Sequence, residues 1–302
     1  MENHNEQYEK LIKKFTSWAL GCEDIRAALI VGSRARQDQP ADQWSDLDLV
    51  MFAGSPDDYI NSASWLENMG PYWITFIEDT AVGGGKERRV LFDGGLDVDF
   101  SVFPVRAVYL LSDQLEVKAV FQRGFRVLFD KDHLLADGLF LAGDMPDDKS
   151  ADVSDDMTSL VANHWPTEAE FINLVNDFWY HAVWGIKKLR RGEMWMAKSN
   201  VDNYLKWQIL KLCEWHAKAM HGLGYDTWHG GRYFEKWVDP RIKEELVDAF
   251  AYYDENDIVR ALQSTMRLFR WVAVETAEKL AYHYPALADA KATEWIEESV
   301  GS

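Results

Sequence analysis

The stretch from Ala27 to Phe52, AALIVGSRARQDQPADQWSDLDLVMF, reads as a strand, a Gly-Ser turn, a polar excursion and a second strand carrying two aspartates. The first strand is the apolar run Ala27 to Val31, and it stops at Gly32-Ser33. A residue without a Cβ lets the backbone close tightly around a ligand oxygen, and freed N–H groups and a hydroxyl suit a phosphate. After a turn-rich segment containing Pro40, Leu47, Leu49 and Met51 alternate with Asp46, Asp48 and Val50. Period 2 therefore puts both carboxylates on one strand face and the aliphatics on the other. Such a pair can share a divalent cation, because Mg2+ prefers oxygen ligands and is commonly held by one or two carboxylates together with substrate phosphates. Asp-Leu-Asp alone is as well explained by a solvated strand face. The Gly-Ser turn before it and an acidic strand after it favour a site.

That acidic strand follows an Asp-Gly-Gly turn at Asp93 to Gly95, which predicts a hairpin between Arg89–Phe92 and Leu96–Phe103. Asp97, Asp99 and Ser101 share one face of it. With Gly32-Ser33, then Asp46-x-Asp48, then Asp99 on a separate strand, the chain resembles the nucleotidyltransferase superfamily with the polymerase-beta-like fold. Within it, GSRAR, SDLDLV, DVDFS and the later NDFWY are similar to the aminoglycoside 6-adenylyltransferases, the streptomycin-modifying family, and the likeness runs over most of the chain.

The resemblance implies transfer of AMP from ATP to a hydroxyl of a polycationic aminoglycoside, streptomycin at its 6-position, with release of pyrophosphate and antibiotic resistance as the result. It implies that Asp46, Asp48 and Asp99 hold Mg2+, as two ions, and that Gly32 and Ser33 cradle the outer phosphates. Arg34 or Arg36, with Lys187, would offset phosphate charge. Asp177, in NDFWY, would stand beside the acceptor hydroxyl as general base. Asp97 and Asp177 would pair with cationic groups of the drug.

Composition bounds this reading. The 302 residues leave room for two domains, and 47% hydrophobic residues with 14% aromatic can supply sizeable cores. With 32 Lys+Arg against 50 Asp+Glu, the net charge of −18 disfavours nucleic acid, no basic run overrides it, and a cationic substrate is attracted. Two cysteines, Cys22 and Cys213, supply neither a disulfide framework nor a four-cysteine zinc site. The polar start MENHNEQYEK has no leader pattern, and no apolar run reaches membrane-spanning length, so a cytoplasmic protein is expected. Monomer and homodimer both stay open.

Glu6 to Leu20 carries Tyr8, Leu11, Ile12, Phe15, Trp18 and Ala19 at helical spacing, which predicts a helix packed on the sheet. Ser64 to Met69 reads as a short helix, Tyr72 to Ile77 as a strand and Gly83-Gly84-Gly85 as a loop. Pro104 to Gln122 reads as helical, and Phe125 to Phe129 as a last strand ending at Asp130. The mixture predicts an α+β fold in which a mixed-sheet nucleotidyltransferase domain precedes an α-helical bundle domain. Composition shifts to Asp, Ser, Pro and Gly from Asp137 to Trp165. The boundary is placed there, giving domains 1–150 and 151–302, the second binding the substrate.

In the second domain Thr167 and Glu170 form a capping-box pattern, ahead of a stripe of Phe171, Val175, Phe178, Ala182, Ile186 and Leu189. Further helices are expected at roughly 198–221, 240–252 and 255–283. Asp177, His181, Trp184, Lys188 and Arg191 fall near one face of the helix after Thr167. Spacing alone reads that face as solvated. The family register favours Lys187 as the phosphate lysine, whereas helical geometry puts Lys188 closer to Asp177.

Other chemistries lack their signatures. There is no GxxxxGK[ST] motif, no recognisable triad around the scattered histidines, and no basic interleaving that would make the 14 Trp a stacking platform for nucleic acid. The carboxylate trio specifies donor chemistry and not the acceptor. A protein side chain, an RNA end or another small molecule therefore stays open as acceptor. A non-catalytic nucleotide-binding module is disfavoured by the intact Asp46, Asp48 and Asp99.

Overall fold

The computed structural model describes residues 4–36, 41–111, 114–135, 165–228 and 230–301. The chain divides into two compact units, Met1–Ser150 and Ala151–Ser302. Most of the Asp- and Ser-rich stretch on which the boundary is placed, 137–164, lies outside the described residues, as do 37–40 in the polar excursion, and His229.

In the first unit β1 (Ile25–Val31), β2 (Leu47–Ala53), β3 (Tyr72–Asp79), β4 (Lys86–Phe92), β5 (Leu96–Pro104) and β6 (Arg126–Asp130) form one sheet in the order β3-β4-β5-β2-β1-β6. Only β2 and β5 pair in parallel, so the sheet is mixed as expected. Parallel neighbours need a long crossover. The segment containing α2 (Pro56–Asn61), a 3-10 helix (Ser64–Asn68) and the β3–β4 hairpin supplies it.

Alternation along the strands sorts side chains into two layers. Leu47, Leu49 and Met51 join Ile30 and Phe100 beneath α1 (His4–Gly21), which contributes Tyr8, Leu11, Ile12 and Phe15. Val50, Phe52, Leu29 and Phe103 face the other way, toward Val108 and Val117 of α3 (Ala107–Leu111) and α4 (Leu115–Gln122). These are two helices where one is expected over 104–122, and Gln114 takes an extended conformation ahead of the second.

The second unit comprises α5 (Glu168–Arg190), α6 (Met194–Ser199), a π-helical turn (Asn200–Tyr204), α7 (Leu205–His221), α8 (Phe234–Trp237), α9 (Pro240–Leu246), α10 (Glu255–Leu280) and α11 (Ala286–Gly301). The capping box forms: Glu170 N–H donates to Thr167 Oγ1 at 3.2 Å and Thr167 N–H to Glu170 Oε2 at 2.7 Å. Phe178 of α5 stacks on Phe269 of α10 with centroids 3.6 Å apart.

The expectation of a solvated polar face on α5 is corrected. This helix touches α6, α7, α10 and α11, and on the face carrying Asp177, His181, Trp184, Lys188 and Arg191 it buries His181 and half-buries the other four. That face is therefore covered in part by protein, and side chains so covered need partners there. No helix among the described residues is long and apolar enough to cross a membrane.

Candidate active site

Strand register assembles the first cluster. Val31 pairs with Asp48 across β1 and β2, Asp48 with Asp99 across parallel β2 and β5, and Asp99 with Arg89 across β5 and β4. Neighbouring strands lie about 4.8 Å apart. The turn after Val31, the two aspartates and the arginine therefore stand in one row, with Asp46 two residues upstream of Asp48.

Gly32 turns the chain with φ +67°, and a Cβ built there would lie 1.9 Å from Asp48 Oδ2. Glycine is thus required twice, for the left-handed backbone and for the approach of the carboxylate. Next to it, Ser33 Oγ is buried and has no hydrogen-bond partner among the described residues. A buried hydroxyl without a partner is rare and costs free energy unless a ligand satisfies it.

Electrostatics point the same way. Burial pushes the Asp48 carboxyl well above the usual range, and Asp46 adds to the shift by repulsion. Burial likewise raises Asp99, partly offset by Arg89. Arg89 Nη1 lies 3.4 Å from Asp99 Oδ2, but the same guanidinium also pairs with Glu78 at 2.8 Å and Glu87 at 2.9 Å. Among the described residues this guanidinium is divided among three carboxylates, and negative charge gathers around it. Asp46, Asp48 and Asp99 present oxygen atoms of the kind that could hold a hard divalent cation such as Mg2+. A cavity of about 260 Å³ opens beside Gly32 and Asp48, walled by Val50, Phe52, Phe103 and Phe121.

Two sequence-derived site residues have partners within the protein. Arg34 Nε donates to Asp46 O at 2.9 Å, Nη2 to Ser45 O at 2.8 Å and Nη1 to Asn5 Oδ1 at 3.2 Å. Its guanidinium also lies 3.5 Å from the Tyr8 ring centroid. It braces the entry to β2 and so sets Asp46. Asp97 is 2% exposed, and its N–H donates to the Tyr8 hydroxyl at 3.0 Å. Arg36 is half-buried at the end of the Gly32 turn, where its N–H donates to Gly32 O at 3.1 Å.

In the second unit Asp177 is half-buried on α5. Its Oδ1 accepts from His181 Nδ1 at 2.7 Å and from the Tyr204 hydroxyl at 2.9 Å, and its Oδ2 from Gln208 Nε2 at 2.5 Å. Lys188 lies over the Trp184 ring at 4.8 Å and 3.6 Å from Glu193. Lys187 is 3% exposed, its ammonium 6.0 Å from the Trp295 ring centroid of α11.

Sequence reading does not single out Arg89, Glu87, Tyr204 or Gln208. The first two had a usable signal, since charged residues on a strand of a hairpin ending in DVDFS face that strand's acids if the turn sets the register. Tyr204 and Gln208 are 27 and 31 residues from Asp177, and nothing local marks them.

A sheet that lines up a glycine turn, an Asp-x-Asp strand and an aspartate on the parallel neighbour has the arrangement of the nucleotidyltransferases with the polymerase-beta-like fold. Comparison narrows the class. A family model described as streptomycin adenylyltransferase matches residues 5–299. The chain therefore belongs to the streptomycin adenylyltransferase family, and it is an enzyme of the adenylyltransferase type that uses a nucleotide co-substrate.

Among curated relatives, the aminoglycoside 6-adenylyltransferase of Bacillus subtilis (strain 168) is 24% identical over 288 residues, covering 92% of each chain. That of Campylobacter jejuni is 22% identical over 279 residues, covering 90% of this chain and 88% of its own. The Staphylococcus aureus enzyme is 20% identical over 288 residues, covering 92% and 93%. The crystal structure of an aminoglycoside 6-adenyltransferase from Bacillus subtilis superposes with a TM-score of 0.42 at 21% identity, covering 100% of both chains.

Proposed function

We propose that this enzyme transfers AMP from ATP to a hydroxyl of an aminoglycoside, streptomycin at its 6-position, releasing pyrophosphate and so conferring resistance. The observation that carries the donor half is the row of Gly32, Asp48 and Asp99, in which the Asp48 carboxylate packs on the bare Cα of Gly32 and the buried Ser33 hydroxyl, without a partner among the described residues, is left for a ligand. The names of the relatives and the net charge of −18 support a polycationic acceptor.

Asp46, Asp48 and Asp99 would hold magnesium, which when bound supplies charge neutralisation for the triphosphate and for the departing pyrophosphate. Ser33 donates its hydroxyl to a phosphate oxygen, and Arg36 offsets charge from the end of the turn. Lys187 takes the phosphate role that the family register gives it; Lys188, on the Asp177 side of α5, is held over Trp184 and near Glu193. The apolar cavity beside Gly32 houses the base. Asp177 accepts the proton of the acceptor hydroxyl as its oxygen bonds to the α-phosphorus and the bond to pyrophosphate breaks.

The test is pyrophosphate release from Mg-ATP with streptomycin, with kanamycin and with no acceptor, followed by the mass of the drug. Release with streptomycin alone and a gain of one AMP is the expected result. Binding of Mg-ATP without release in any arm would remove the aminoglycoside acceptor and leave the nucleotide site standing.

A further inference from the structure

We propose that the π-turn at Asn200–Tyr204 is a register device that holds the Asp177 carboxylate in one orientation, with Tyr204 and Gln208 as positioning residues for the base. This rests on the reading of Asp177 as the group that takes the acceptor proton.

From Met194 to His221 the backbone runs through α6, the π-turn and α7 without a break. At the turn, Leu205 N–H donates to Asn200 O, one residue further back than an α-helix allows. Such turns are rare and gather at functional sites. The turn also has a local compensation, because Lys206 Nζ donates to Val201 O at 2.8 Å.

What the register shift accomplishes is visible in the side chains it aims at α5. Asn200 Nδ2 donates to His181 O at 2.8 Å. The Tyr204 hydroxyl lies 2.9 and 3.1 Å from the two Asp177 oxygens, and Gln208 Nε2 lies 2.5 Å from Oδ2. Close approach of the two helices is built in on the other side as well. A Cβ at Gly185 of α5 would lie 2.7 Å from Asn200 Nδ2, so only glycine admits this contact.

A carboxylate has about four lone-pair sites. Donors from Tyr204, Gln208 and His181 take three and engage both oxygens. The His181 and Tyr204 rings, with centroids 4.2 Å apart, stiffen the same cluster. Apolar residues would pack this helix interface without needing any partner. A polar network with three donors aimed at one carboxylate is an arrangement suited to holding a reacting group to within a fraction of an ångström.

The experiment measures kcat and KM for pyrophosphate release with Mg-ATP and streptomycin. The proteins are wild type, Tyr204→Phe, Gln208→Met, Asp177→Asn and the two double variants. Tyr204→Phe is expected to lower kcat about tenfold with KM for ATP unchanged and the melting temperature lowered by a few degrees. In the Asp177→Asn background it is expected to lower the residual kcat no further. Gln208→Met is expected to behave alike, and it carries the test if Tyr204→Phe does not fold.

Wild-type kcat in both single variants, with Asp177→Asn inactive, would overturn the positioning role and leave the base in place. Losses that multiply in the double variants would overturn it too, because the residues would then act independently of Asp177. Wild-type turnover in Asp177→Asn itself would sink the base, and the proposal with it.

Discussion

The two acidic centres of this enzyme use the same side chain in opposite states of completion. On β2 and β5, Asp48 and Asp99 stand side by side, both raised by burial, and the nearest guanidinium is divided among Asp99, Glu78 and Glu87. On α5, Asp177 is met by three neutral or titratable donors at 2.5 to 2.9 Å. The first centre gathers desolvated negative charge, which a divalent cation would neutralise. The second is held by donors from its own helical unit. If the first binds metal and the second takes a proton, as proposed, the two surroundings suit the two tasks.

The largest expected effect comes from breaking the first centre. Asp48→Asn is expected to cut adenylyl transfer roughly a thousandfold, since several kcal/mol of charge stabilisation are lost at about 1.4 kcal/mol per decade. It should also raise the melting temperature of the metal-free protein, because a repelled, desolvated charge is gone. Magnesium near a hundred times its Kd should stabilise the wild type by about 2.7 kcal/mol and the variant hardly at all. Near-normal turnover, or a lower melting temperature without metal, would contradict the description of this centre. Gly32→Ala tests the same cradle sterically. A Cβ 1.9 Å from Asp48 Oδ2 at φ +67° is expected to cost about 1–3 kcal/mol of stability and most of the activity, measured by thermal melting and pyrophosphate release.

Breaking the second centre should have the opposite sign in stability. Asp177→Ala strips three donors of their acceptor and is expected to destabilise the fold by about 1–3 kcal/mol. Asp177→Asn keeps the shape, and the Gln208 amide can turn its oxygen toward the new NH2, so the melting temperature should hold while kcat falls about a hundredfold. If Asp177→Ala melts at the wild-type temperature, the donors are not engaged as described and the contrast between the two centres fails.

The sheet centre was largely legible in the sequence and the helical one was not. Asp46, Asp48 and Asp99 reveal themselves through period 2, because Leu47, Leu49 and Met51 are buried on one face and force the acids onto the other. Thr167 and Glu170 announce the start of α5 through a local exchange of hydrogen bonds. By contrast, the polar face of α5 is polar whether solvent or another helix covers it. Only the packing of α6, α7, α10 and α11 decides which. Arg34 reads as a phosphate ligand in GSRAR, and its two contacts with the backbone carbonyls of Ser45 and Asp46 carry no sequence signal. The π-turn has no compositional mark, and α11, Ala286–Gly301, lacks a strong apolar stripe to betray it.

The smallest effect sharpens the claim that the helical unit is electrostatically complete, by testing where it is not. Lys206 donates to Val201 O and Thr265 Oγ1, both at 2.8 Å. Its ammonium lies 5.0 Å from the Phe250 ring centroid. Burial lowers its pKa to about 8, against the attraction of Asp202. A lysine normally titrates near 10.4. From about pH 8 upward the unfolded chain therefore holds more protons than the folded one, and stability rises with pH, by at most about 1.4 kcal/mol per unit. Near pH 10 the slope should reverse, because burial raises the phenols of Tyr8 and Tyr284, which favours the folded state only while the unfolded phenols remain protonated too. Urea unfolding at pH 7.5, 8.5 and 9.5 is expected to show the rise in wild type and its absence in Lys206→Met. A flat wild-type profile would mean that the π-turn carbonyl holds this ammonium without strain, and that the unsatisfied charge of the enzyme is confined to the sheet.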